Sequence, residues 1–260
     1  MVRGVDVASI KRGLIKIARE AGACIMEVYA AKDKGIDIKN DGSPVTEADR
    51  RAEACIVPAL KDLFPETMVV SEENPASHSF DPSERFWLVD PLDGTKEFVK
   101  RNGQGAFTVN IALIEKREPV LGVVFAPALK RMFYGDIRAG ASEIGETGER
   151  SISVASATGA ERIAVTSSSH QDQVTSTWLR SNKISQTISI GSSFKFCLLA
   201  AGEAHVYPRF GPTMEWDTAA GDAILRAAGG MTTTPEHTSF LYGKAGYRNG
   251  AFIAWGGVPN

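Results

Sequence analysis

The stretch Phe86-Trp87-Leu88-Val89-Asp90-Pro91-Leu92-Asp93-Gly94-Thr95 decides how this chain is read. Phe86 to Val89 is a short buried strand that ends abruptly in Asp90-Pro91. Asp93 follows, held by Pro91 and Gly94 in a tight turn. Glu72 stands in a comparable place, just past the apolar strand Met68 to Ser71. Carboxylates at the ends of buried strands are very costly if left desolvated and unpaired. Arg85 is the only Lys or Arg lying among Glu72, Asp90 and Asp93, so a divalent ion is the simplest counter-charge. All-oxygen ligands select Mg²⁺, Mn²⁺ or Ca²⁺ rather than zinc. The turn can aim two carboxylates and the Leu92 carbonyl at one point. Shared carboxylates can then hold two ions about 3.5–4 Å apart, the spacing used for in-line phosphoryl displacement. Thr95 reads as the N-cap of a helix beginning Lys96-Glu97-Phe98. That would turn the Gly94 and Thr95 amides toward the ions as a phosphate cradle. The Thr95 hydroxyl can orient a water whose proton Glu72 takes.

Upstream, Ile10, Leu14, Ile17, Ala18, Ala21, Ile25, Val28 and Tyr29 recur at helical spacing, and Asn40 to Pro44 turns the chain. Thr46-x-x-Asp49 has the form of a capping box and opens a second helix, which Pro58 should kink. Downstream, Thr108 to Ile114, Val120 to Phe125 and Arg131 to Tyr134 form a meander of strands. From Asp136 to Gly159 small and polar residues dominate. The expected division is 1–153, an N-terminal α+β domain with most metal ligands, and 154–260, a C-terminal α/β domain. Strands Arg162 to Thr166, Lys183 to Ile190, Ala204 to Tyr207 and Ala251 to Trp255 alternate with helices Gln171 to Arg180, Ser192 to Ala201 and Asp217 to Ala228. That alternation predicts a layered α/β arrangement.

The chain has 260 residues, 29 Lys plus Arg, 31 Asp plus Glu and a net charge of −2. No basic field for nucleic acid or an anionic membrane follows from that balance. Cys24, Cys55 and Cys197 match no zinc or C-x-x-C spacing and read as reduced thiols, with a Cys24–Cys55 bridge left open. Charges near the N-terminus break any signal-peptide core, and no run is long and apolar enough to span a bilayer. The expectation is a cytoplasmic chain with no integral membrane segment, at most peripheral at the inner membrane.

Several of these residues have blander readings. Asp90 and Asp93 alone read as an Asx-turn pair; the longer string through Thr95 is the stronger signal. Asp217 alone reads as a helix N-cap, and Asp49 as a capping-box acid. No P-loop is present, and Gly103-Gln104-Gly105 lacks the context of a dinucleotide fingerprint. His205 reads as a satisfied core residue. His170 ends a strand after three serines and is the better ligand candidate. Lys195 and Arg209, in otherwise apolar stretches, are either surface charges or the holders of a second phosphate.

Glu72-Glu73, Trp87 to Thr95 and Trp216-Asp217-Thr218-Ala219-Ala220-Gly221 resemble the lithium-sensitive, Mg²⁺-dependent inositol monophosphatase superfamily. Within it, Lys96-Glu97-Phe98, Ser192 to Cys197 and Tyr207 to Pro212 are similar to the bacterial CysQ branch, the 3′(2′),5′-bisphosphate nucleotidases. The resemblance runs from Ser43-Pro44-Val45-Thr46 to about Gly230. It implies a five-layer αβαβα sandwich with the site between two domains. Glu72, Asp90, Asp93 and the Leu92 carbonyl match the first metal's ligands, and Asp217 a ligand of the second. Asp49 matches the acid that helps hold a third ion or the attacking water, and Thr95 the water-orienting threonine. Gly94 and Thr95 match phosphate-binding amides. His170, Ser192, Lys195 and Arg209 match positions that contact the nucleotide and its non-scissile phosphate. The stretch Asn102 to Phe107 is longer than in that branch.

The implied function is hydrolysis of the 3′-phosphate of adenosine 3′,5′-bisphosphate by in-line attack of a metal-activated water. Two or three Mg²⁺ ions would serve, with Mn²⁺ as a substitute and Li⁺ and Ca²⁺ inhibitory. The partner is a small phosphorylated nucleotide, and the chain a monomer or homodimer. The rivals are an inositol-1-phosphate or fructose-1,6-bisphosphate phosphatase, a non-catalytic phosphate or nucleotide sensor, and a metal-free glycosidase using Asp90 and Asp93.

Overall fold

The computed structural model describes residues 7–31, 33–38, 44–79, 81–100, 105–155, 162–167 and 172–257. Helix α1 (Val7–Ala30) is followed by two short strands, β1 (Asp37–Ile38) and β2 (Pro44–Val45), and by helix α2 (Glu47–Leu63). The capping box forms: Ala48 N donates to Thr46 Oγ1 at 3.1 Å, and Thr46 N donates to Asp49 Oδ2 at 2.7 Å. The helix continues through Pro58 to Leu63. Strands β3 (Met68–Ser71) and β4 (Arg85–Asp93) come next, then helix α3 (Thr95–Lys100). The meander comprises β5 (Thr108–Glu115), β6 (Glu118–Ala126), β7 (Arg131–Asp136), β8 (Gly140–Gly145) and β9 (Gly148–Ile152). Together β3 to β9 make a seven-stranded sheet in chain order.

The rest of the chain gives β10 (Ile163–Ser167), α4 (Gln173–Ser181), β11 (Gln186–Ile190), α5 (Phe194–Ala200), β12 (Val206–Arg209), β13 (Thr213–Met214), α6 (Ala219–Ala227), β14 (Met231–Thr233), β15 (Arg248–Asn249) and β16 (Phe252–Trp255). Five of these strands form a second sheet in the order β11-β10-β12-β16-β14.

Alternation along β4 explains the layering. Trp87 and Val89 join the apolar cluster of α1 and α2, with Leu14, Ile25, Ala52 and Ile56. Phe86 and Leu88 point the other way and pack with Phe194, Phe196, Ala220 and Ile224 of α5 and α6. A strand covered on both faces needs a continuous apolar run, and this one has it. The second sheet closes over α5 and α6 through Tyr207 and Phe252, and its outer face meets α4 through Leu179 and Ile253. The order is helix, sheet, helix, sheet, helix: a five-layer αβαβα sandwich. The proposed boundary at 153/154 falls between the two sheets, yet α6 lies directly on the first. Its close approach needs glycine in the sheet, since a Cβ on Gly122 would lie 2.3 Å from Ala220 O.

The structure corrects three local expectations. Strand β4 does not stop at Val89; it runs to Asp93 and shifts register against β5 between Asp90 and Asp93. Such an irregularity is where a strand tolerates proline, here Pro91. Strands β8 and β9 were not expected; they are short and rich in glycine and charge, as sheet edges are. Asp217 does not cap α6: Thr218 takes that position without a side-chain cap. Cys24 and Cys55 place their sulfurs 3.4 Å apart across α1 and α2, and all three cysteines are free thiols. His205 is a satisfied residue, its Nδ1 accepting from Ile163 N at 3.1 Å. No helix among the described residues is long and apolar enough to cross a membrane.

Candidate active site

A cleft of about 260 Å³ opens between the two sheets, and Glu72, Asp93, Gly94, Thr95, Ser192, Lys195, Arg209 and Asp217 all line it. The fold brings these together from five places: the end of β3, the β4 irregularity with the start of α3, the start of α5, the last residue of β12, and the segment after β13. Asp90 and Asp49 lie behind this lining and are buried. His170 falls outside the described residues, as do Asn102, Gly103 and Gln104 of the longer loop.

Carboxylate oxygens of Glu72, Asp90 and Asp217 lie within 4.8 Å of one another. Asp93 lines the cleft beside this group rather than within it. Each acid has a local anchor. Asp90 Oδ1 accepts from Leu92 N at 3.0 Å, which holds the turn with the Leu92 side chain in the core. Asp93 Oδ2 accepts from Ser193 N at 2.5 Å, a bond between the first sheet and α5. Asp217 Oδ2 accepts from Met214 N at 2.8 Å. Behind it the buried Glu215 carboxylate accepts from Gly243 N and Lys244 N at 2.7 and 2.9 Å, fixing the loop that leads to α6. The Trp216 ring stacks on His78 with centroids 4.7 Å apart, so the segments carrying Glu72 and Asp217 also meet through these rings.

Three acids this close repel. Burial pushes the Asp90 carboxyl well above its usual range, and Glu72 and Asp93 push it further. Asp217 is raised in the same way by burial, Asp93 and Glu72. Asp93 is pushed up by burial to about 6, with the Lys195 ammonium and the Ser193 amide pulling it back. An all-oxygen, mutually repelling set of this kind fits a hard divalent cation, which removes the repulsion.

Thr95 is not the N-cap of α3. Phe98 N donates to Gly94 O at 3.0 Å, so Gly94 takes the cap position and Thr95 begins the helix. Gly94 has φ +88, and a Cβ there would lie 3.2 Å from Ala106 O and 3.4 Å from Ser192 Cβ, so glycine lets the chains close over the cleft. The Thr95 hydroxyl sits 3.3 Å from Asp49 Oδ1 and 3.2 Å from Leu92 O. Asp49 thus serves twice: Oδ2 closes the capping box and Oδ1 meets Thr95.

Two buried cations also line the cleft. Lys195 donates to Ile190 O at 3.3 Å and to Ser192 O, and its ammonium lies over the Tyr207 ring. Burial lowers its pKa to about 8; Asp93 opposes that shift and Arg209 adds to it. Arg209 donates from Nε to Gly211 O and from Nη2 to Pro212 O, both at 3.2 Å. These bonds leave part of its five-donor fork for a ligand. Ser167, Tyr207, Thr213 and Thr218 also line the cleft and were not singled out from the sequence. Tyr207 and Thr218 stand inside the quoted motifs without a role read from them, and Ser167 and Thr213 only beside quoted residues.

Comparison with known proteins gives the family. The chain is 51% identical over 217 residues to the 3′(2′),5′-bisphosphate nucleotidase CysQ of Salmonella typhimurium, covering 82% of this chain and 86% of the relative. It is 48% identical to the protein of the same name from Escherichia coli K12, with the same coverage. Among solved structures, the CysQ of Bacteroides thetaiotaomicron superposes with a TM-score of 0.81 at 37% identity, covering 95% of this chain and 97% of the other. The Thermotoga maritima IMPase superposes with a TM-score of 0.77 at 28% identity, covering 94% and 91%. A model of the inositol monophosphatase family matches residues 6–255, and the chain belongs to that family.

Proposed function

We propose that this chain is a metal-dependent phosphomonoesterase that removes the 3′-phosphate of adenosine 3′,5′-bisphosphate, giving AMP and phosphate. One observation carries the substrate reading. Lys195 and Arg209, both buried, line the same cleft as the carboxylate cluster. Buried cations attract anions, and beside acids that a metal would occupy, a substrate with a second phosphate supplies an anion that a monophosphate does not. The names of the Salmonella and Escherichia relatives support the same substrate class.

Glu72, Asp90 and Asp217, with Asp93 and the Leu92 carbonyl beside them, would hold the metal, for which Mg²⁺ is the proposed ion and Mn²⁺ a substitute. When bound, the ions supply positive charge against the transferring phosphoryl group and lower the pKa of water. The chain's own residues do the rest. Thr95, held between Asp49 Oδ1 and Leu92 O, presents its oxygen to the attacking water, and Glu72 takes that water's proton. The amides of Gly94 and Thr95 face the phosphoryl oxygens. Lys195 and Arg209 hold the 5′-phosphate, with Ser192 beside them, and so supply specificity rather than chemistry.

The substrate reading is tested by Lys195→Ala. It should lower kcat/KM for the bisphosphate far more than for adenosine 3′-monophosphate; equal losses on both would remove the second-phosphate role and return weight to an inositol-1-phosphate substrate.

A further inference from the structure

Ser193 stands just before α5 with helical backbone angles. The hydroxyl that meets the helix start is that of Ser192, whose Oγ accepts from Phe194 N at 3.3 Å, so the Ser193 side chain is left free of a capping role. The hydroxyl turns sideways and donates to Asn110 Oδ1 at 2.6 Å. Having spent its one hydrogen there, it accepts from Thr108 Oγ1 at 2.9 Å. Asn110 Nδ2 closes the ring by donating to Thr108 Oγ1 at 3.4 Å. All three residues are at most 2% exposed.

The ring stands where two parts of the cleft join. Thr108 and Asn110 face Asp93 and Asp90 across β4 and β5, on either side of the register shift. Ser193 N donates to Asp93 Oδ2, and Lys195 follows two residues later on the first turn of α5. The sideways bonds tie α5 to the strand that faces the acids.

We infer that Thr108, Asn110 and Ser193 are positioning residues that fix the distance between the Asp93 carboxylate and the Lys195 ammonium, and so match the cleft to a substrate with two phosphates. The inference rests on the bisphosphate reading above. Ser193 reaches the cleft lining, but the three are assigned no contact with the reacting atoms and act through Asp93 and Lys195.

The test compares kcat/KM for adenosine 3′,5′-bisphosphate with that for adenosine 3′-monophosphate in the wild type, Thr108→Val, Thr108→Ser and Ser193→Ala. Thr108→Val keeps the shape and removes the hydroxyl, so the bisphosphate preference should fall about tenfold or more, as for a substrate displaced by a fraction of an ångström. Thr108→Ser keeps the hydroxyl and should retain most of the preference. Ser193→Ala removes a second member of the ring and should act like Thr108→Val, which keeps the test decisive if one variant does not fold. A preference unchanged in both hydroxyl-deleted variants, or equal losses on both substrates, overturns the inference while leaving the bisphosphate reading intact. A wild type with no preference overturns that reading and this inference with it.

Discussion

Thr95 Oγ1 and Asp49 Oδ1 lie 3.3 Å apart although 46 positions separate them in the chain. The contact joins the first turn of α2 to the first turn of α3, and it places a hydroxyl beside the cleft whose single hydrogen faces two acceptors, Asp49 Oδ1 and Leu92 O. Thr95→Ala removes that oxygen. A positioned proton-transfer group contributes about 10²–10⁴-fold, so kcat should fall by at least about 100-fold with KM little changed. Thr95→Ser should keep most of the rate. Steady-state kinetics on the bisphosphate decide this, and a Thr95→Ala enzyme within a few-fold of wild type contradicts the assigned role.

The carboxylate cluster makes the metal-free protein sensitive to pH. The Asp90, Asp93 and Asp217 carboxyls are all raised by burial and by neighbouring acids, Asp93 to about 6. The folded chain therefore binds more protons than the unfolded one between the ordinary carboxylate range and those raised values. Metal-free stability falls as pH rises through that window. A divalent ion cancels the repulsion at high pH, whereas protons already occupy the acids at low pH. The rise in Tm on adding Mg²⁺ should be roughly twofold or more larger at pH 8 than at pH 5. An equal rise at both values contradicts a site built from these acids.

Lys195 predicts a second pH effect, on binding. Its pKa is lowered to about 8, chiefly by burial. The ammonium is present below that value and lost above it, and only the charged form holds a phosphate. KM for the bisphosphate should rise as pH passes through about 8, and KM for adenosine 3′-monophosphate should not. Parallel pH profiles of KM for the two substrates would show that Lys195 does not bind the second phosphate.

Gly122 permits the packing that places Asp217. A Cβ there meets Ala220 O at 2.3 Å, whereas a Cβ on Gly145 meets nothing within 4 Å. Overpacking costs about 1–3 kcal/mol, so Gly122→Ala should lower stability by that amount in urea titration. It should also lower kcat, by shifting α6 away from the cleft. Gly145→Ala should stay within about 0.5 kcal/mol of wild type.

The layers were largely legible in the sequence, because strands such as Trp87 to Val89 and Val120 to Phe125 are buried on both faces and leave continuous apolar runs. The edge hairpin β8–β9 was not: solvent faces much of it, so Gly148 to Ser151 carry no apolar pattern. The acids were legible because carboxylates beside buried strands demand a partner. How they are held was not. Asp217 read as a cap but is anchored by Met214 N, and Asp93 depends on the amide of Ser193, a hundred residues away. A backbone donor carries no side-chain signature, and a bond between distant segments exists only once the sheets have closed. Glu215 was missed for a related reason: its carboxylate is spent on the backbone of Gly243 and Lys244, a loop no local pattern connects to it.

The central claim is the substrate, and phosphate release from adenosine 3′,5′-bisphosphate and inositol-1-phosphate, measured side by side with Mg²⁺, with chelator and with lithium, tests it most directly. The account predicts fast release from the bisphosphate that chelator abolishes and lithium inhibits, with the inositol ester far slower. Faster release from the inositol ester, or release from the bisphosphate that survives chelation, would contradict it.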